Sequence, residues 1–254
     1  MPTVDDIYRC LQTLAPLDLQ MDFDNSGMLI GDPGTPVSKV LLALDVTDAV
    51  ASEAEDIGAQ LIVSHHPLIF HPIRNLTCSP ETEKLYALIR SGIAVLSFHT
   101  NLDIADGGVN DVLIRLLGLE PLEALDASGC GRIGEYTRSV PLPVFLGICR
   151  EKLQTNGLRF LDAGRDVRRL AVMGGAGGSA IRDAWEKGCD TYVTADLKYH
   201  DFLLAQELRL NLIDGDHFCT ENPVLSMLQT RLHEAFPETE TVLSRRHCQI
   251  IQFA

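Results

Sequence analysis

The chain has no Cys-x-x-Cys pair, no apolar run of membrane-spanning length, no low-complexity linker and little positive charge. Its seven cysteines (Cys10, Cys78, Cys130, Cys149, Cys189, Cys219, Cys248) are scattered and odd in number, which excludes a simple disulfide framework and a thiolate zinc site. Nothing approaches the roughly 18 continuous apolar residues that a membrane helix needs. Asp5 and Asp6 stand where a secretory signal would carry basic and then apolar residues. Lys and Arg total 21 against 35 Asp and Glu, a formal net charge of −14 that argues against a broad nucleic-acid surface. The expectation is a reduced, soluble, cytoplasmic protein.

What is present suits a packed fold. With 254 residues and 46% hydrophobic content, the chain can bury a sizeable core in one large domain or two small ones. Ile7, Cys10, Leu11 and Leu14 predict an amphipathic helix ending before Pro16. Residues 24–32 read as a turn-rich loop. The chain then alternates: strands over 40–44, 60–64 and 93–98, with helices over 48–57 and 81–90 between them. Such β-α-β-α-β order predicts a largely parallel sheet covered by helices.

The pattern recurs. Strands over 170–173, 190–194 and 211–213 alternate with helices over 179–187 and 201–208. Gly58 maps to Gly188 and Val63 to Val193, both shifted by 130 (188−58, 193−63). His99 maps to His217 and Asp103 to Glu221, both shifted by 118 (217−99, 221−103). An internal duplication accounts for this. We expect residues 1–125 to form the first α/β unit, with 222–254 packing back on it, and 126–221 to form the second. The stretch between the repeats reads as a strand over 132–140, a helix over 143–153 and a short strand over 158–162, with no functional reading.

Three loops carry chemistry. The strand through Ser64 delivers the adjacent pair His65-His66; the strand through Phe98 runs into His99-Thr100-Asn101-Leu102-Asp103; the strand through Ile213 leads to His217-Phe218-Cys219-Thr220-Glu221. Ligands of parallel α/β sheets gather at the carboxyl ends of strands, and imidazole with carboxylate suits a borderline divalent cation. A histidine at a strand end is commonly structural, and His-x-x-x-Glu is a common surface pair. Together, three such loops outnumber the needs of one tetrahedral cation and suit two cations. Gly174-Gly175-Ala176-Gly177-Gly178 could cradle phosphate at a helix start, but it lacks the lysine of a P-loop, and a turn permitting close packing is the alternative. Asp196, Lys198 and His200 occupy the place that His65-His66 holds in the first repeat, as substrate-facing or ligand-supporting groups, or as plain capping and surface residues.

Ser-His-His-Pro (64–67), His-Thr-Asn-Leu-Asp (99–103), Gly-Gly-Ala-Gly-Gly-Ser (174–179), Thr-Ala-Asp-Leu-Lys-Tyr-His (194–200) and Asp-His-Phe-Cys-Thr-Glu (216–221) occur together in this order. The chain thereby resembles the Nif-three-like dinuclear metal proteins, often labelled GTP cyclohydrolase I type 2 homologues. The resemblance implies two intertwined α/β units with a two-metal site between them, and a ring-shaped homohexamer. Carried over residue by residue, it implies His65, His66, Asp103, His217 and Glu221 as ligands, with Glu221 as the bridge. Two departures stand out: Phe23 replaces the usual tryptophan before Asp24-Asn25-x-Gly27, and Thr194-Ala195-Asp196 replaces Thr-Gly-Glu.

These readings lead to a metal-dependent hydrolase holding two divalent cations per chain (zinc, iron, manganese or nickel), acting on a small molecule, a nucleotide or related heterocycle. His99 is the candidate general acid/base, and Asn25, Asp196, Lys198 and His200 are the candidate substrate-facing or ligand-supporting residues. The alternative is a non-catalytic ring protein that stores or delivers metal. A nucleic-acid-threading ring fits the charge poorly.

Overall fold

The computed structural model describes residues 1–77, 79–80 and 82–252. The chain divides into two compact units, residues 1–105 with 225–248 and residues 106–224 with 249–252.

In the first unit, α1 (Val4–Leu14) begins at a capping box: Asp6 N–H donates to Thr3 Oγ1 (3.2 Å) and Thr3 N–H to the Asp6 carboxylate (2.8 Å). Its buried stripe is Val4, Ile7 and Leu11. The elements β1 (Gly27–Ile30), β2 (Lys39–Ala43), α2 (Asp48–Asp56), β3 (Leu61–Ser64), α3 (Glu83–Ser91), β4 (Ala94–Ser97) and the short α4 (Thr100–Ile104) follow. Glu81, where the apolar pattern starts the third helix, lies outside the described residues. Strands β2, β3 and β4 are parallel neighbours, with Ala43, Ser64 and Ser97 in one row at their carboxyl ends. Residues of β2 to β4 are buried on both faces, which is why these segments read as continuous apolar runs. Leu41, Ile62 and Val95 pack under Val50, Ala54 and Leu88 of α2 and α3.

The second unit contains α5 (Val109–Leu116), β5 (Glu123–Ala124), β6 (Arg132–Val140), α6 (Leu142–Leu153), β7 (Arg159–Leu161), β8 (Val167–Ala176), α7 (Ile181–Glu186), β9 (Thr191–Ala195), α8 (Tyr199–Leu208), β10 (Asn211–Asp214) and the short α9 (His217–Glu221). The parallel core is β8–β9–β10; β6 joins β8, and β7 joins β10, in antiparallel pairs. The unread stretch between the repeats thus supplies antiparallel flanking strands and α6, whose Leu142, Phe145, Cys149 and Leu153 pack in one cluster with Leu170, Val193 and Ile213. Leu113 and Ile114 of α5 join the same cluster, so the division falls at Ala105 and not near residue 125.

After α10 (Val224–Ala235), β11 (Glu240–Leu243) lies parallel to β2 and returns the chain to the first sheet. The following residues are tied to α2. The Glu53 carboxylate, 5% exposed, accepts from Ser244 Oγ and from the backbone N–H groups of Arg245 (2.9 Å) and Arg246 (3.1 Å). Burial would raise its pKa, but these donors outweigh burial and hold it below the usual carboxylate value. The folded pKa is the lower one, so this contribution is present above the unfolded value and lost as pH falls through the folded one. Glu53→Gln is expected to cost about 1–3 kcal/mol at neutral pH. It should also flatten the acid side of a stability profile measured by urea unfolding.

The two parallel cores share a register. Leu61 pairs with Ala94, as Thr191 pairs with Asn211. Gly58 and Gly188 end equivalent helices with left-handed φ of +67° and +74°, the conformation that glycine adopts without steric cost. Strand β10 is shifted from β4 by 117 (211−94), one less than the histidine loops, so β10 reaches its histidine through one more residue. The glycine-rich segment does not behave as a helix-opening loop. Gly174 and Gly175 belong to β8, and only a short 3-10 turn precedes the six-residue α7. Among the described residues, no helix is long and apolar enough to cross a membrane.

Candidate metal centre

In the first unit, the shared row at the ends of β2, β3 and β4 brings four loop residues together. Backbone pairing continues past β3, with His65 N–H donating to Ala43 (3.3 Å) and His66 N–H to Leu44 (2.9 Å). His65 is fully buried, whereas the side chain of His66 keeps 23% exposure. The His65 ring centroid lies 4.9 Å from that of His66 and 5.2 Å from that of His99, and the His66–His99 distance is 5.5 Å. One ring nitrogen from each of the three falls within 4.8 Å of the others. Asp103, one helical turn beyond His99, places Oδ1 3.6 Å from His65 Nε2.

In the second unit, the Asp216 carboxylate caps α9 by accepting from Cys219 N–H (3.1 Å). The cap starts the helix so that His217 and Glu221 share one face. Their Nε2 and Oε2 atoms are 3.1 Å apart. Gly175 makes room for them. A Cβ there would overlap Glu221 Oε1 and stand 3.2 Å from His217 Nε2. Close packing, the alternative reading of the glycine-rich segment, describes this residue.

All four imidazoles are oriented in the same sense. His65 Nδ1 donates to the Phe98 carbonyl, His66 Nδ1 to Asp45, His99 Nδ1 to Asp24 and His217 Nδ1 to Asp196, each at 2.8 Å. An acceptor at Nδ1 selects the tautomer whose Nε2 carries the lone pair, the arrangement typical of metal-binding histidines. Two ligand atoms on one tetrahedral cation, with bonds of about 2.1 Å, lie about 3.4 Å apart. The 3.6 Å and 3.1 Å separations match that spacing. In the first unit the donor set fits a divalent cation, and the second unit contributes the His217–Glu221 pair at the same spacing. In the metal-free chain, burial works against a charged His217, but Glu221 and Asp196 outweigh it and raise its pKa to about 9. A cation bound there at neutral pH must displace that proton.

The remaining candidates divide. Asp196 joins the centre as the partner of His217. The Asn25 side chain donates to the Ile69 carbonyl. Lys198 is the N-cap of α8, and His200 is exposed beside Tyr199; neither has a described contact with the His217–Glu221 pair. Local sequence pattern does not single out Asp24 or Asp45 as partners of these histidines. Asp45 does carry a sequence signal: it follows a parallel strand at the same edge as the histidines.

Residues 2–249 match the family profile described as Duf34/NIF3 (NGG1p interacting factor 3). A "GTP cyclohydrolase 1 type 2 homolog" of Clostridium perfringens is 33% identical over 251 residues, covering 95% of this chain and 96% of that protein. One of the same description from Methanocaldococcus jannaschii is 36% identical over 220 residues, covering 85% and 88%. The crystal structure of a Bacillus cereus protein related to NIF3 superposes with a TM-score of 0.93 at 25% identity, covering 100% of this chain and 99% of that one. The chain is a member of the Duf34/NIF3 family.

Proposed function

We propose that the protein is a metal-dependent hydrolase holding two divalent cations per chain and acting on a nucleotide or related heterocycle. The ligands in this reading are His65, His66 and Asp103 of the first unit and His217 and Glu221 of the second. One observation carries it: the three histidines of this ligand set each have Nδ1 engaged by an acceptor, which makes Nε2 the metal-binding atom. When bound, such cations supply Lewis acidity and ease the deprotonation of water.

His99 acts as the base or acid in this scheme. Its Nδ1 is held by Asp24, so a substrate proton can be taken at, or returned from, Nε2. Phe23 (64% exposed) and Phe70 (38% exposed) offer open ring faces, and the Phe70 centroid is 6.2 Å from that of His99. These faces support the choice of a planar heterocycle, which stacks well on aromatic rings. The names of the relatives, GTP cyclohydrolase 1 type 2 homologues, point to the same substrate class. The family resemblance carries the further proposal of a six-copy ring, which light scattering in solution tests. Buried, unpaired Cys149, Cys189 and Cys219 support a reducing, cytoplasmic setting.

The test is turnover of a nucleotide panel by metal-replete protein, beside His99→Gln. Hydrolysis that is lost in His99→Gln while metal is retained supports the reading. Full metal without turnover on any member would move the assignment to metal storage or delivery.

A further inference from the structure

Three of the four imidazoles are held by aspartates, and one of the three differs in kind. The Asp24 side chain has 0% exposure, against 51% for Asp45 and 50% for Asp196. Water competes for the last two, whereas the Asp24 side chain exposes no surface to it.

Every group facing the Asp24 carboxylate is a donor. Oδ1 accepts from His99 Nδ1 and from Asn25 N–H, both at 2.8 Å. Oδ2 accepts from Thr100 N–H (3.0 Å) and the Thr100 hydroxyl (2.5 Å), while the single Ser26 hydroxyl proton is shared between Oδ2 (3.1 Å) and Asn101 Oδ1 (2.9 Å). Ser26 Oγ in turn accepts from His99 N–H at 3.1 Å, so backbone and ring of His99 are located by one short loop. Two of these donors are backbone groups that cannot turn away. Burial opposes the charge, but the hydrogen bonds from His99 and Thr100 outweigh it and hold the carboxyl well below its usual range.

We propose that Asp24 is a positioning residue: it locks His99 into the tautomer whose Nε2 lone pair faces the His65–His66 cluster, and so makes His99 competent as a base. The inference rests on the hydrolase reading for its purpose, but not for its test. A neutral imidazole carries one ring proton. Placing its lone pair against a buried carboxylate would leave two acceptors facing each other without water. A charge-assisted hydrogen bond in such a place sets a preference of roughly tenfold or more.

Asparagine at this position has to present an NH2 group on one side. On the Oδ2 side it would oppose the Thr100 backbone donor and the Thr100 hydroxyl. On the Oδ1 side it opposes one backbone donor and an imidazole that can move its proton to Nε2. The second costs less, so Asp24→Asn is expected to invert the His99 tautomer. The same substitution of an aspartate behind a catalytic histidine is known to produce the wrong tautomer with geometry intact.

The experiment is long-range 1H–15N correlation of ring nitrogens in metal-free, 15N-histidine-labelled full-length protein, with His99→Gln giving the assignment. Tautomers are read on the alkaline plateau of the titration. In wild type, His99 should show at least roughly a tenfold excess of the form with the proton on Nδ1. Asp24→Asn should reverse that excess. Thr100→Val removes a donor from the same carboxylate without touching the ring, and should keep the wild-type tautomer. A wild-type His99 with its proton on Nε2, or an Asp24→Asn spectrum with the tautomer unchanged, overturns the proposal. Should Asp24→Asn fail to fold, the wild-type and Thr100→Val spectra still decide it. Because no metal or substrate is present, failure of the hydrolase reading would leave this result standing.

Discussion

Asp111→Ala is expected to destabilise the second unit by about 3–5 kcal/mol, the usual cost of leaving a buried charge without its partner. Asp111 and Arg132 form an ion pair in which each side chain is 6% exposed. The guanidinium also donates to the carbonyls of Gly129 (2.9 Å) and Gly131 (2.8 Å), while the carboxylate accepts from Gly107 N–H (3.0 Å). These bonds tie the turn before β6 to α5. Removing the carboxylate leaves the guanidinium with neutral acceptors and the exposed Asp106, 3.5 Å away. The partner-free combination of Asp111→Ala with Arg132→Met should recover much of the loss, since replacing both members of a buried pair by apolar groups is often near neutral. Urea midpoints for the two singles and the double, analysed as a cycle, check this. A single-mutant loss below about 1 kcal/mol would mean that water reaches the guanidinium and the pair is not a buried one.

Gly175→Ala should damage the candidate centre from outside its ligand set. The position has φ +65°, and the added Cβ would overlap Glu221 Oε1. Its backbone cannot retreat easily, because Gly175 N–H donates to Thr220 Oγ1 (3.0 Å) and its carbonyl accepts from Thr194 Oγ1 (3.1 Å). Glu221 has to move instead. Strain and overpacking together are expected to cost about 1–3 kcal/mol. The larger effect is on the ligand pair. With Glu221 displaced, the His217 pKa should fall from about 9 towards its ordinary value, and metal held by that pair should be lost. NMR titration of His217 and elemental analysis of the same variant give two independent readings. An unchanged His217 titration would show that Glu221 accommodates the methyl group and that the glycine is not needed for the approach.

Much of the site's placement is legible in the sequence. The alternating apolar runs placed three parallel strands in each repeat, and strand ends delivered His65, His66, His99 and His217 to carboxyl edges as expected. The 130-residue shift survives as matched register and matched left-handed glycines at 58 and 188. Other parts depended on long-range packing that periodicity does not carry. Asp24 lies 75 residues from the imidazole it holds, and Asp45 lies 21 from His66. No local pattern links either pair. The glycine-rich segment invited a phosphate reading because such loops commonly open helices. Here Gly175 is needed for the approach of Glu221, a residue distant in sequence, and the strand runs on through it. Likewise, α5 carries the periodicity of an ordinary amphipathic helix, and only its packing beside α6 assigns it to the second unit.

The most direct test of the account is metal content per chain by elemental analysis, on wild type and Glu221→Ala purified without chelator. About two divalent cations per wild-type chain, with loss in Glu221→Ala while the fold is retained by circular dichroism, is the predicted result. A wild-type chain that binds no metal, even after reconstitution with zinc, iron, manganese and nickel in turn, would contradict it.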